Sequence, residues 1–358
     1  VASRRATSQI GSFAHMPPLL LLPLGLLPAL CAGFDSCPWP NAASSATHSS
    51  SGSLRSMNTP GLPQRSTGGR ARALRLRAGD VDDSPPLLIV GAGVLGRRAA
   101  ALWQTAHPGA IVYGATREAD PQRQSELRAE GITPCVRSQF GTAELPACKH
   151  VLFCAPPGGN DDYAAEVGSA LRMWDSGDGD GAFVFTSSAG VYAEQGGGMV
   201  REGSAVGASP RAQRLLDAER RTLDAGGTVL RLAGLYTLER GAHSAWFKMG
   251  SVASSPQTLI NQVHYDDAAA AAVAALLRPA RAEVLVVADD KPLSRADICA
   301  QASRLPRFSQ SERPTFTPDE GSSAVLGKVI DSSYTRAKIG WKPRYATFAE
   351  FVDQQLEQ

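Results

Sequence analysis

Leu87-Leu88-Ile89-Val90-Gly91-Ala92-Gly93-Val94-Leu95-Gly96 is an apolar run that breaks into three glycines and reopens as a helix. Four apolar residues without polar alternation predict a strand buried on both faces, as in a parallel sheet covered by helices. Gly91, Gly93 and Gly96 have the spacing G-x-G-x-x-G. Each glycine has its own task. The first makes the tight turn out of the strand, the second lets backbone approach a pyrophosphate, and the third lets helix and strand pack closely. Phosphate then rests on the free amides and positive dipole end of the helix, so Val94 and Leu95 join the glycines as expected cofactor contacts.

Val94 to Thr105 carries apolar residues at helical spacing, His107-Pro108-Gly109 is a turn, and Ala110 to Gly114 reads as a second strand. Strand, helix and strand within about 30 residues are the context that the glycine spacing requires. The end of the second strand is where an adenosine ribose is read: a carboxylate there selects NAD, an arginine favours the 2′-phosphate of NADP. Here it runs Gly114-Ala115-Thr116-Arg117. The expectation is NADP, with Thr116 and Arg117 as contacts; Glu118 or Asp120 accepting an NAD ribose is the other reading. Asp120-Pro121 then has the form of a cap and first helical residue, and Gly131 ends that helix.

Strands are expected at Ile132 to Val136 and His150 to Cys154, the latter running into the loop Ala155-Pro156-Pro157-Gly158-Gly159. In a doubly wound sheet the carboxyl edge holds the cofactor, which adds Ala155 and Pro156 to its contacts. A helix from Asp161 to Trp174, a turn at Gly177 to Gly181 and a strand at Ala182 to Phe185 follow. The fold class is therefore α/β, a Rossmann-type doubly wound parallel sheet.

Composition agrees with a soluble, globular chain of one or two domains: 358 residues, 43% hydrophobic and 20% charged. A net charge of +2 gives no electrostatic case for nucleic acid. Leu19 to Leu30 is apolar but contains Pro23 and Pro28 and falls short of the roughly 20 residues that span a bilayer. Behind Met16, the expected start, it reads as the apolar core of a signal peptide with cleavage before Phe34. From Ser36 to Gly79 the chain is rich in Ser and Arg and has no acidic residue, which is transit-peptide chemistry. Together they resemble the two-part presequence of nucleus-encoded plastid proteins in algae with secondary plastids, and predict a presequence over 1–84 and a plastid stromal location. Cys135, Cys148, Cys154 and Cys299 lack paired spacing, which fits a reducing compartment. No His, Cys and carboxylate cluster has metal-ligand spacing, so no metal is expected.

The strand at Ala182 enters Thr186-Ser187-Ser188-Ala189-Gly190-Val191-Tyr192. This resembles the Ser-Ser-x-x-Val-Tyr motif of the extended short-chain dehydrogenase/reductases, the NAD(P)-dependent epimerase/dehydratase family. Thr228 to Tyr236 is similar to that family's sixth strand, Asn261 to Asp267 to its lead into the next helix, and Gly340-Trp341-Lys342-Pro343 to its closing segment. The resemblance spans about residues 86 to 355. It implies a dinucleotide domain over 85–358 with a smaller substrate lobe, built mainly from 236–262 and 289–345.

One departure matters more than the matches. The family's Tyr-x-x-x-Lys motif supplies an acid/base tyrosine and the lysine that tunes it, but Ser209-Pro210-Arg211-Ala212-Gln213-Arg214-Leu215 puts Arg211 and Leu215 at those positions. A guanidinium does not give up its proton, and leucine tunes nothing. Ser188 remains at the catalytic-serine position, and Tyr192 is the other hydroxyl for proton transfer; the alternative roles are bonding local backbone at the strand end for Ser188 and packing under the loop for Tyr192. Arg211 is expected to bind an anionic substrate group, or else to be an exposed first-turn residue of a helix capped by Ser209. Two functions follow. One is an NADP-dependent oxidoreductase on a small substrate; the other is a non-catalytic cofactor-binding plastid factor in assembly, regulation or RNA association.

Overall fold

The apolar runs assemble into seven parallel strands: β1 (Leu87–Val90), β2 (Val112–Thr116), β3 (Ile132–Val136), β4 (His150–Phe153), β5 (Ala182–Ser188), β6 (Thr228–Leu232) and β7 (Val284–Val287). Their order is β7-β6-β5-β4-β1-β2-β3. The computed structural model describes residues 84–159, 162–176, 179–318 and 325–358, so the expected presequence, apart from Ser84, lies outside the described residues. From β1 the chain winds outward to β3 and then crosses back to β4. The crevice between β1 and β4 is thus the topological switch point, where ligands of such sheets lie beyond the carboxyl ends.

The helices are α1 (Val94–Ala106), α2 (Pro121–Ala129), α3 (Tyr163–Leu171), α4 (Pro210–Asp224), α5 (Ala242–Met249), α6 (Tyr265–Leu277), α7 (Arg295–Ala302), α8 (Ser333–Ile339) and α9 (Phe348–Leu356). Strand side chains alternate between faces, and the core divides accordingly. Leu87 and Ile89 pack with Ala99 and Trp103 of α1 and the alanine-rich α6. Leu88 and Val90 pack on the opposite face with Tyr163 and Val167 of α3 and with Leu215 and Ala218 of α4. With all four β1 side chains fully buried, the unbroken apolar run is explained.

Local capping agrees with the sequence. Asp120 accepts from the Arg123 amide, Ser209 from that of Ala212 and Ser294 from that of Asp297. Elsewhere the structure differs. The helix expected over 161–174 is α3, and it stops at Leu171. The Cys148 amide donates to the Met173 carbonyl and the Asp175 amide to the Cys148 carbonyl, drawing that stretch into a bridge beside β4. Thr315–Phe316 pairs in parallel with Ser251–Val252, and 319–324 lies outside the described residues.

A smaller mixed sheet runs Leu293–Ser294, Leu259–Ile260, Gly327–Ile330 and Gly196–Val200. Its outer strand, Gly-Gly-Gly-Met-Val, has no strand signature in sequence. A third apolar cluster joins Tyr236, Ile298 and Leu305 to Phe348 and Phe351 of α9. Asp267 secures the closing segment: its carboxylate accepts from the Arg344 amide at 2.6 Å and the Tyr345 amide at 3.1 Å, and its carbonyl from Trp341 Nε1 at 3.0 Å. The tryptophan is core.

Candidate dinucleotide site and serine loop

The three glycines are glycines for different reasons. Gly91 has φ +99°, and a Cβ on it would overlap the Ala155 amide nitrogen and lie 2.6 Å from Ala155 Cα. A Cβ on Gly96 would meet the Gly91 carbonyl at 2.6 Å and Ile89 Cγ2 at 2.8 Å. Both positions are closed by protein. At Gly93 a Cβ would meet nothing within 4 Å, so this glycine borders open space. Gly93 is the N-cap of α1 and no side chain caps that end, which leaves the first-turn amides of Val94, Leu95 and Gly96 for a ligand. The Gly91 carbonyl is held from two sides, by the Gly93 amide at 2.8 Å and by the Cys154 thiol at 3.1 Å. The Leu95 side chain is buried, so any contact from it is through its backbone.

At the end of β2, Thr116 Oγ1 donates to the Glu118 carbonyl at 2.8 Å and shapes the turn. Arg117 reaches across to the loop after β4, donating Nη2 to the Gly158 carbonyl at 3.0 Å. Asp120 is engaged as the α2 cap, accepting from the Arg123 amide at 2.6 Å. Arg137 follows β3 and is ion-paired with Glu166 of α3; burial and the neighbouring Arg117 charge lower its pKa. Sequence reading did not single it out, because its place beside Arg117 depends on β2 pairing with β3. In the loop itself Ala155 is buried, its carbonyl accepting from the Tyr163 hydroxyl at 2.8 Å, whereas Pro156 is exposed.

Ser188 is the last residue of β5 and partly exposed. Its Oγ accepts from the Gly190 amide at 3.1 Å and caps the short turn Ala189–Val191. Ser187 points the other way, donating to Glu219 Oε1 at 2.5 Å. Glu219 also accepts from Arg231 Nε at 3.1 Å and Nη2 at 2.7 Å. Arg231 in turn lies 4.9 Å over the Tyr192 ring and donates Nη1 to the Glu202 carbonyl at 3.3 Å. Ser187, Glu219 and Arg231 thus form the floor of the serine loop. No sequence spacing brings them together, since they come from β5, α4 and β6.

Tyr192 is 1% exposed, and burial raises its pKa. Its hydroxyl donates to the Glu202 carbonyl at 3.4 Å, and its own carbonyl accepts from Lys328 Nζ at 2.8 Å. The structure therefore gives it the packing role under the loop rather than an activated phenol facing a cleft. Leu215 is 8% exposed within the apolar cluster that includes Val191, while Arg211 is exposed in the first turn of α4. Ser188 and Tyr192 are four residues apart, yet they present their hydroxyls to different surroundings. Among the described residues there is no group of three or more His, Cys, Asp or Glu suited to a metal, and no helix long and apolar enough to cross a membrane.

No protein-family model matches the chain, and no curated protein matches its sequence. Solved structures do match. A functionally unknown conserved protein from Silicibacter pomeroyi is 21% identical with a TM-score of 0.60, over 76% of this chain and 99% of that one. The dTDP-glucose 4,6-dehydratase of Bacillus anthracis, in complex with NAD, is 12% identical with a TM-score of 0.62, over 76% of this chain and 97% of that one. The UDP-glucuronic acid 4-epimerase of Bacillus cereus, in complex with UDP-glucuronic acid and NAD, is 15% identical with a TM-score of 0.59, over 76% and 98%. The chain therefore has the Rossmann-type α/β fold that these structures, NAD-bound epimerase and dehydratase among them, share.

Proposed function

We propose that this chain binds NADP at the β1–α1 turn and is an NADP-dependent oxidoreductase of the epimerase/dehydratase type, acting on a small substrate. One observation carries the binding reading: Gly91 and Gly96 are closed by protein, whereas Gly93 borders open space at an uncapped helix end. That is the cradle a pyrophosphate fills. Arg117 at the end of β2 supports NADP over NAD, and the engagement of Asp120 as a helix cap supports the same choice.

The bound nicotinamide would supply or accept the hydride. Ser188 orients the substrate: its lone pair takes the Gly190 amide, which leaves the hydroxyl proton for a substrate oxygen at the sheet edge. Titration of the full chain with NADPH and NADH by calorimetry tests this, with tighter binding of NADPH expected. Equal affinities would remove the NADP reading, and no binding of either would remove the function.

A second reading is favoured by the burial of Tyr192 together with Arg211 and Leu215 at the acid/base positions. In it the chain binds the cofactor without turnover and serves as an assembly, regulatory or RNA-associated factor. NADPH oxidation across a panel of small carbonyl compounds separates the two. For either, the composition of residues 1–84 supports delivery to the plastid stroma, which a fluorescent fusion of that segment tests.

A further inference from the structure

α4 turns one stripe toward the sheet, Leu215, Ala218 and Thr222, exposed by 8%, 0% and 0%. Arg211 is the residue one turn earlier on that stripe, and it is exposed. A residue on the inward stripe of a packed helix meets solvent only where the helix overhangs what it packs on. Here the overhang is beside the serine loop: the Gly207 amide donates to the Val191 carbonyl at 2.7 Å, and Leu215 shares an apolar cluster with Val191. Arg211 makes no hydrogen bond or ion pair among the described residues. Arg214, three residues on, lies 6.0 Å over the ring of Tyr163, the residue whose hydroxyl holds the Ala155 carbonyl of the cofactor loop. Its Nε and Nη2 are buried and have no hydrogen-bond partner. The first turn of this 15-residue helix contains no acidic residue.

We infer that the first turn of α4 is the recognition element for an oxyanion on the substrate, a carboxylate or a phosphate ester, with Arg211 as the principal donor and Arg214 beside it. The inference rests on the dinucleotide-binding reading and names the substrate class for that site. Three observations meet here: two guanidinium groups without carboxylate partners, the positive end of a helix, and a neighbouring serine hydroxyl. Side chains three residues apart on a helix are neighbours, close enough to share one oxyanion. Arginine matches carboxylate and phosphate bidentately, and the exposed Arg211 is the donor an anion reaches, while the Arg214 guanidinium, partly buried over Tyr163, adds positive charge beside it. A substrate anchored in this way carries its reacting oxygen toward Ser188.

The test uses the full chain saturated with NADP, so that the cofactor's own phosphate positions are filled, and again without NADP. Inorganic phosphate and acetate are titrated at constant ionic strength against chloride, and the unfolding temperature is followed. At least one of the two should raise it, and which one does so tells phosphate from carboxylate. Arg211→Gln should weaken that apparent affinity about tenfold, as expected for losing charged hydrogen bonds. Arg211→Lys should retain part of it, and Arg220→Gln, on the exposed side of the same helix, should leave it unchanged. If neither anion binds, or if Arg211→Gln binds as well as wild type, the inference falls. Loss of NADP binding alone would overturn the cofactor reading, and Arg211-dependent anion binding would still stand as a separate result.

Discussion

Glu219 and Arg231 meet beneath the serine loop as a doubly hydrogen-bonded ion pair, with side chains only 3% and 7% exposed. A pair this deep is weak evidence of net stabilisation, because both ions have lost their water. Breaking it is another matter, since one charge would remain buried and alone. Glu219→Ala and Arg231→Ala should each lower stability by about 3–5 kcal/mol in urea unfolding. The double variant should cost clearly less than the sum. Single-variant losses below about 1 kcal/mol would mean that water reaches the pair.

The glycine turn predicts opposite consequences for two neighbouring substitutions. Gly91→Ala places a Cβ on the Ala155 backbone at a φ of +99°, so it should destabilise the fold and lower the yield of soluble protein. Gly93→Ala meets open space and should change stability by less than about 1 kcal/mol. Its effect should appear in dinucleotide affinity, where the methyl occupies the approach of the pyrophosphate. Thermal unfolding and calorimetry on both variants check the contrast; unaltered affinity in Gly93→Ala would put the phosphate elsewhere.

Arg117 spans two loops through the Gly158 carbonyl and is exposed. On the proposed NADP reading Arg117 meets the 2′-phosphate, so Arg117→Ser should reduce NADPH affinity about tenfold or more and leave NADH nearly unchanged. Losing both equally would mark the arginine as a loop brace.

Stability should fall toward both pH extremes, for different residues. Burial, reinforced by Asp290, pushes the Asp289 carboxyl up to about 8. The folded state then holds this proton where the unfolded chain has released it, so the contribution present in acid is lost as pH rises toward 8. Burial lowers His243 to about 4, so its contribution is complete above the ordinary value of 6.5 and is lost as pH falls through 4. Asp289→Asn should raise the unfolding temperature more at pH about 9 than at about 5, through loss of the alkaline dependence. A variant with the same pH profile as wild type would show that Asp289 is ionised in the fold.

The parts of this molecule that were legible in sequence are those decided within a few residues. The β1 run, the glycine spacing and the caps at Asp120 and Ser209 are local chemistry, and each formed as its residues predict. Glu219 illustrates the limit. It lies on the inward face of α4, but its partners Ser187 and Arg231 are 32 and 12 residues away and meet it only through sheet order. The strand Gly196–Val200 was hidden for the opposite reason, since three glycines carry no side-chain pattern and the pairing with Gly327–Ile330 alone makes it a strand. Tyr192 lies in the stretch Ser187 to Tyr192, yet its surroundings are made by Arg231 and Glu202, which come from elsewhere in the chain.

Leu215 bears on any attempt to engineer this protein. It is enclosed with Val191 and Ala218 in an apolar cluster, so the position that the sequence resemblance matches to a lysine is part of the interior here. Placing a lysine there by Arg211→Tyr and Leu215→Lys together would bury an ammonium among hydrocarbon. Repair would have to reopen the wall before it restored the residues, which makes the present pair of side chains an architectural commitment of the fold.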